Sequence, residues 1–136
     1  MEGKIKKVKL SSGEEFTSDS IIIASGGRSR ELGVSGEKEF KGRGISYCAT
    51  CDGDFFQDKK IIVVGGGNSA LEEAVSLTKY ASKVTIVHQF DHFQAFNHAI
   101  EEAKNNPKID FRMHSRITSI NGEKKVENVN IEDIST

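Results

Sequence analysis

Lys60-Ile61-Ile62-Val63-Val64-Gly65-Gly66-Gly67-Asn68-Ser69-Ala70 decides the fold. Five residues, four of them β-branched and apolar, read as a buried strand, and the three glycines stop it in a tight turn. Beyond the turn, apolar side chains at 70, 71, 74, 75 and 77 mark one face of a helix. Lys83-Val84-Thr85-Ile86-Val87 then reads as a second buried strand, so the unit is β–turn–α–β with the right-handed crossover such units adopt. Gly65, Gly67 and Ala70 match G-x-G-x-x-A. The first glycine permits the turn and the second lets a diphosphate approach the backbone. The small residue at 70 allows close helix–strand packing, while the helix N-terminus attracts phosphate. Gly65, Gly66, Gly67, Asn68, Ser69 and Ala70 are therefore candidate dinucleotide-binding residues.

Working outward, Ala95, Phe96, Ala99, Ile100 and Ala103 predict another helix, stopped by Asn105-Asn106-Pro107. Ile109–Met113 reads as a strand. Arg116–Ile120 and Lys125–Glu132, joined through Asn121-Gly122, read as a closing hairpin. On the other side, Lys4–Leu10 and Glu15–Thr17 flank Ser11-Ser12-Gly13-Glu14 and predict a hairpin, with Lys4, Lys6, Lys7 and Lys9 on a solvated strand face. Ser20–Ala24 reads as a strand buried on both faces, and residues 28–44 as a polar, glycine-punctuated linker. The expected fold class is α/β: a Rossmann-like parallel sheet with helices and a β-hairpin or meander layer, three layers in all.

The chain has 136 residues, 36% hydrophobic and 29% charged, enough for one modest core. Nineteen basic against twenty acidic side chains leave a net charge of −1, which gives no electrostatic reason to expect nucleic acid or an acidic membrane. No apolar run reaches membrane-spanning length, and Met1-Glu2-Gly3-Lys4 lacks the apolar core of a signal peptide, so the cytoplasm is the expected location.

Two cysteines stand in Cys48-Ala49-Thr50-Cys51. This spacing closes a disulfide ring and can lower the pKa of one thiol. Inert buried thiols are a second reading and a metal site a third. Zinc needs two further ligands, which only dispersed histidines could supply, so no metal is expected. Asp52 is a candidate proton donor or acceptor for thiol exchange, or a turn carboxylate. His88, His92 and His98 are close in sequence, and 88 and 92 could share a helix face, but His88 reads as the end of a strand, which argues against a metal site there. Phe93, Phe96 and Phe111 read as core or interface fillers.

The run Lys41–Gly53, KGRGISYCATCDG, resembles the active-site segment of low-molecular-weight thioredoxin reductases, which are flavoprotein pyridine nucleotide-disulfide oxidoreductases. Gly65–Ala74, GGGNSALEEA, is similar to that family's nicotinamide-dinucleotide turn, and Ile21–Gly26 to the closing strand of its FAD domain's first segment. The resemblance implies residues 1–29 as the tail of an FAD domain and 30–136 as the inserted nicotinamide-type domain. It implies FAD in the complete enzyme, a thioredoxin-like protein partner and a homodimer. Cys51 would face the flavin, Cys48 would exchange with the partner, and Asp52 would handle the proton. The family's flavin-binding glycine motif is not in this chain, so a piece of a longer protein, with no flavin of its own, is expected.

One departure bears on the electron donor. Where the family carries His-Arg-Arg and a further arginine, this chain has His88, Gln89, Phe90 and Gln94. His88 and Gln89 remain candidate nucleotide contacts, but no guanidinium is left for a 2′-phosphate. The donor expected is a weakly bound NADPH, or a non-pyridine donor such as ferredoxin. The reading from a different class is a redox-passive module that binds a nucleotide or a partner.

Overall fold

The computed structural model describes residues 5–135 and contains seven strands and three α-helices among them. The central unit is β3 (Lys60–Val64), α2 (Asn68–Leu77) and β4 (Lys83–Val87), followed by α3 (Asn97–Lys104) and β5 (Ile109–Arg112). β3, β4 and β5 form one parallel sheet in that order, with Ile61 opposite Val84 and Val84 opposite Ile109. The βαβ reading of the glycine-flanked strands therefore holds. β4 lies between β3 and β5 and is the most buried of the three, with Val84, Ile86 and Val87 all 0% exposed.

Alternation along β4 sends its side chains into two cores. Val84 and Ile86, both 0% exposed, join Leu71, Ala74, Ala99 and Ala103 of the helices. Val87, also 0% exposed, points the other way and packs with Phe40, Ile117 and Ile120. The second core is closed by a ribbon of β6 (Ser115–Asn121) and β7 (Asn128–Asp133), which are antiparallel with an irregularity between Ile117 and Ser119. Helices, parallel sheet and ribbon make the three layers. Each fully buried aliphatic side chain here contributes about 1.5–3 kcal/mol of transfer free energy.

The N-terminal hairpin forms as β1 (Lys6–Lys9) and β2 (Glu15–Ser18), exposed on every residue, with Lys7 paired to Glu15 at 2.6 Å. Lys4, expected to open that strand, lies with Met1-Glu2-Gly3 outside the described residues.

Three expectations need correction. The glycine-flanked strand β3 is not buried: it lies at the end of the sheet order, with Ile62 37% and Val64 40% exposed. Ser20–Ala24 is neither a strand nor buried: Ile22 is 93% and Ile23 85% exposed. A strand needs a neighbour to satisfy its backbone, and none of the described residues pairs with this run. Residues 28–44 are not all surface linker. Residues 36–44 fold as successive turns that seat Phe40 in the second core, tied to the ribbon by Ile120 N–H to Ser35 O and Val126 N–H to Arg43 O, both 2.9 Å. No helix among the described residues is long and apolar enough to cross a membrane.

Candidate dithiol and dinucleotide sites

The turn segment that buries Phe40 also delivers the cysteines. Cys48 and Cys51 are joined in a disulfide across α1 (Ala49–Asp52), a single helical turn capped by Cys48. Ala49 faces inward and packs in the same core as Leu71 and Ala74 of α2, so the disulfide is fixed to the helix that follows the glycine turn. Cys48 is half-buried and Cys51 exposed.

Ser46 organises the polar side of the pair. Its hydroxyl donates to Asp52 Oδ2 at 2.5 Å and accepts the Cys48 amide at 3.0 Å. Asp52 is half-buried, hydrogen-bonded to Ser46 and next in sequence to Cys51. A cleft of ≈ 360 Å³ opens beside them, bounded by Lys41, Ile45, Ser46, Tyr47, Cys48 and Asp52. A wider concavity of ≈ 510 Å³ lies around Val75, His98, Asn105 and Pro107, and none of its lining residues belongs to the cysteine segment or the glycine turn.

Behind the cleft sits a buried carboxylate. Glu37, 3% exposed, accepts the Leu32 amide at 2.8 Å, the Gly33 amide at 2.7 Å and the Tyr47 hydroxyl at 2.8 Å. Burial pushes its carboxyl up, but the amides of Leu32, Gly33 and Val34 and the Tyr47 phenol outweigh that and hold it below its ordinary value. Burial and the Glu37 charge together push Tyr47 up to about 12. Neither Ser46 nor Glu37 was singled out by sequence. A serine six residues ahead of the aspartate gives no signal without a turn that brings the two together.

The glycine turn joins β3 to α2 as its pattern requires. Gly65 adopts φ +134°, a conformation side-chain-bearing residues rarely take, and its amide donates to Val87 O at 3.0 Å, extending the sheet. Gly67 caps α2 and its Cα side is open, with nothing nearer to an added Cβ than Gln94 O at 3.9 Å. Asn68, Ser69 and Ala70 form the first turn of α2, so their amides face outward at a helix N-terminus that leads from an open glycine. That arrangement fits a dinucleotide's diphosphate.

The ribose end differs. Gln89, Phe90 and Gln94 are exposed and uncharged, so none of these three positions offers a guanidinium to a 2′-phosphate. His88 is buried at 6% exposure, with its ring against Gly66 and its Nε2 on His92 O at 3.1 Å. Burial holds it below the usual imidazole pKa. Asn68 does not point into solvent: its Oδ1 accepts the Phe96 amide at 2.7 Å. Among the described residues no group of three or more His, Cys, Asp or Glu side chains could hold a metal ion.

The single strand–glycine turn–helix unit of the described residues is the β3–α2 one, so they offer no second diphosphate cradle.

A disulfide held on a one-turn helix against the helix of a dinucleotide turn defines a pyridine-nucleotide-type disulfide oxidoreductase domain. The chain belongs to the pyridine nucleotide-disulphide oxidoreductase family, whose profile matches residues 1–136. Within it the similarity is to thioredoxin reductases. The chain is 46% identical to that of Peptoclostridium acidaminophilum over 138 residues, covering all of this chain and 43% of the relative. The crystal structure of Lactococcus lactis thioredoxin reductase in its FR conformation superposes with a TM-score of 0.82 at 41% identity, over 100% of this chain and 45% of that one. A more distant match is the ferredoxin-flavin thioredoxin reductase of Clostridium acetobutylicum, at 28% identity and a TM-score of 0.61 over 96% of this chain and 42% of that one. The chain thus spans under half the length of the relatives it matches.

Proposed function

We propose that this chain is the dithiol-bearing, nicotinamide-type part of a thioredoxin-disulfide-reductase-like flavoprotein. Residues 30–136 would be that domain and 1–29 the end of a flavin domain's first segment. The observation that carries the reading is the Cys48–Cys51 disulfide, exposed at Cys51, half-buried at Cys48 and served by the hydrogen-bonded Asp52.

In the complete protein a reduced flavin, when bound, would supply two electrons. The Cys48–Cys51 bond takes them and opens, leaving a thiolate on Cys51 and a thiol on Cys48 once one proton has been added. Asp52, held by Ser46, exchanges that proton with the sulfurs. Cys48 gives its proton to Asp52 and, as thiolate, attacks the partner's disulfide, forming a mixed disulfide and releasing one partner thiolate, which takes that proton from Asp52. Cys51 then attacks Cys48 Sγ, restoring the intramolecular bond and releasing the second partner thiolate, which takes a proton from solvent so that the partner leaves as a dithiol. Two electrons and two protons pass, and the chain returns to its starting state.

The partner we assign is a thioredoxin-like protein, the cofactor of the complete protein FAD, the assembly a homodimer and the location the cytoplasm. The donor to the flavin is the open choice. Gly65–Ala70 fit a dinucleotide's diphosphate, which supports a pyridine nucleotide, whereas the neutral 89, 90 and 94 positions favour a donor other than NADPH. The relative named for ferredoxin makes ferredoxin the alternative.

The deciding measurement is titration of Cys48 and Cys51 in the full-length protein against graded dithiol–disulfide buffers, with thioredoxin as substrate. A reversible intramolecular couple that turns over thioredoxin is the expected result. Thiols that neither equilibrate nor exchange would leave only the passive binding module.

A further inference from the structure

The loop that follows β4 closes back on the glycine turn, and one buried ring stands between them. The His88 main chain is fixed on both sides, its N–H donating to Arg112 O at 2.8 Å and its C=O accepting from Ser115 N–H at 2.9 Å. The ring is stacked on Phe93 at 5.8 Å between centroids and meets the edge of Phe90 at 5.4 Å. On the side of the turn it covers Gly66 so closely that a Cβ there would lie 2.5 Å from ring atoms. A carbonyl only accepts, so the Nε2 that lies 3.1 Å from His92 O carries the proton and donates it.

The far end of the loop is tied to the same turn. Gln94 N–H donates to Gly66 O at 2.8 Å, Gln94 bridges Gly67, and Phe96 N–H donates to Asn68 Oδ1. Between these ties Gln89, Phe90 and Gln94 face solvent beside the open Gly67, at the positions where a nucleotide's ribose would be read.

We propose that His88 is a positioning residue: it does not touch a nucleotide but holds the 89–94 loop on the glycine turn through the His92 carbonyl and the face of Gly66. Nε2 is engaged by the His92 carbonyl, and the ring packs against Gly66 and Phe93. What His88 sets is where the three solvent-facing side chains stand relative to the diphosphate turn. The inference rests on reading that turn as a dinucleotide site, and the test separates the two.

The full-length flavoprotein is compared with its His88→Ala and His88→Gln variants by amide hydrogen exchange and by calorimetric titration with NADH. Glutamine places an N–H close to where Nε2 stands and keeps the donor for His92 O. In His88→Ala the Gln94 and Phe96 amides are expected to exchange about tenfold faster or more, with those of Leu71 and Ile86 unchanged as a control for folding. The NADH dissociation constant is expected to rise about tenfold in the same variant. His88→Gln is expected to bring both readouts back to within about threefold of the parent. Unchanged exchange at Gln94 and Phe96 in His88→Ala overturns the proposal. So does a His88→Gln protein with parental exchange and alanine-like affinity, which would make the ring a direct ligand. Should the parent bind no NADH, the dinucleotide reading fails, and the exchange measurement alone decides the role of His88.

Discussion

The Tyr47 phenol donates a 2.8 Å hydrogen bond to Oε1 of Glu37, a carboxylate only 3% exposed, one residue ahead of Cys48. The same carboxylate receives the amides of Leu32 and Gly33, so one buried charge joins residues 32 and 33 to the segment carrying the disulfide. A buried carboxylate survives only if its lone pairs are met, and here three donors meet them.

Removing that acceptor should therefore be costly. Glu37→Ala leaves two amides and a phenol without a partner and should destabilise the protein by about 3 kcal/mol or more. Tyr47→Phe leaves the carboxylate with its two amides and should cost about 1 kcal/mol. Equal urea midpoints for the parent and Glu37→Ala would contradict this.

The same pair gives stability a pH dependence at both ends. Glu37 is held below its ordinary value of 4.5 in the folded protein, so its stabilisation is complete above that value and is lost as pH falls through the lowered one. Tyr47 is raised from 10.0 to about 12, so its stabilisation is complete below 10.0 and is lost as pH rises through about 12. In Glu37→Gln the acid loss should shrink, which unfolding midpoints between pH 3 and pH 6 would register.

The two cysteines should be separable by substitution in the full-length protein. Cys48→Ser should leave Cys51 able to perturb the flavin absorbance while abolishing turnover. Cys51→Ser should instead trap a thioredoxin partner on Cys48, visible as a stable covalent adduct on non-reducing gels. Parental disulfide reduction in both single variants would remove the pair from the exchange reaction.

Discrimination by the 2′-phosphate should be absent in the parent and restorable. Each charge-assisted contact is worth about 1.5–3 kcal/mol, roughly ten- to hundred-fold in affinity. Gln89→Arg, Phe90→Arg and Gln94→Arg together should therefore convert equal, weak NADPH and NADH binding into a clear preference for NADPH. Calorimetry with each nucleotide checks it, and micromolar, selective NADPH binding by the parent would refute it.

Gly66→Ala should displace the ring of His88, since the added Cβ would lie 2.5 Å from it. Overpacking of this kind costs about 1–3 kcal/mol. His88→Ala made in the same protein should recover part of that loss, because the two atoms no longer compete, and a double-mutant cycle measures the coupling.

The sequence alone determined whatever local chemistry governs. An apolar run ended by Gly65-Gly66-Gly67 and followed by a helical stripe admits one βαβ unit, and Cys48 and Cys51 are close enough in the chain to close a ring in any fold. Those features depend on neighbours within a few residues, where chain connectivity does the work. Tertiary structure decided the rest. Glu37 meets Tyr47 only because Phe40 is buried against the ribbon and curls the intervening chain. His88 faces Gly66 only because β4 lies beside β3. Ser20–Ala24, apolar enough for a buried strand, stays exposed because burial and strand pairing require a partner surface, and a run of isoleucines specifies the need for one but not its presence.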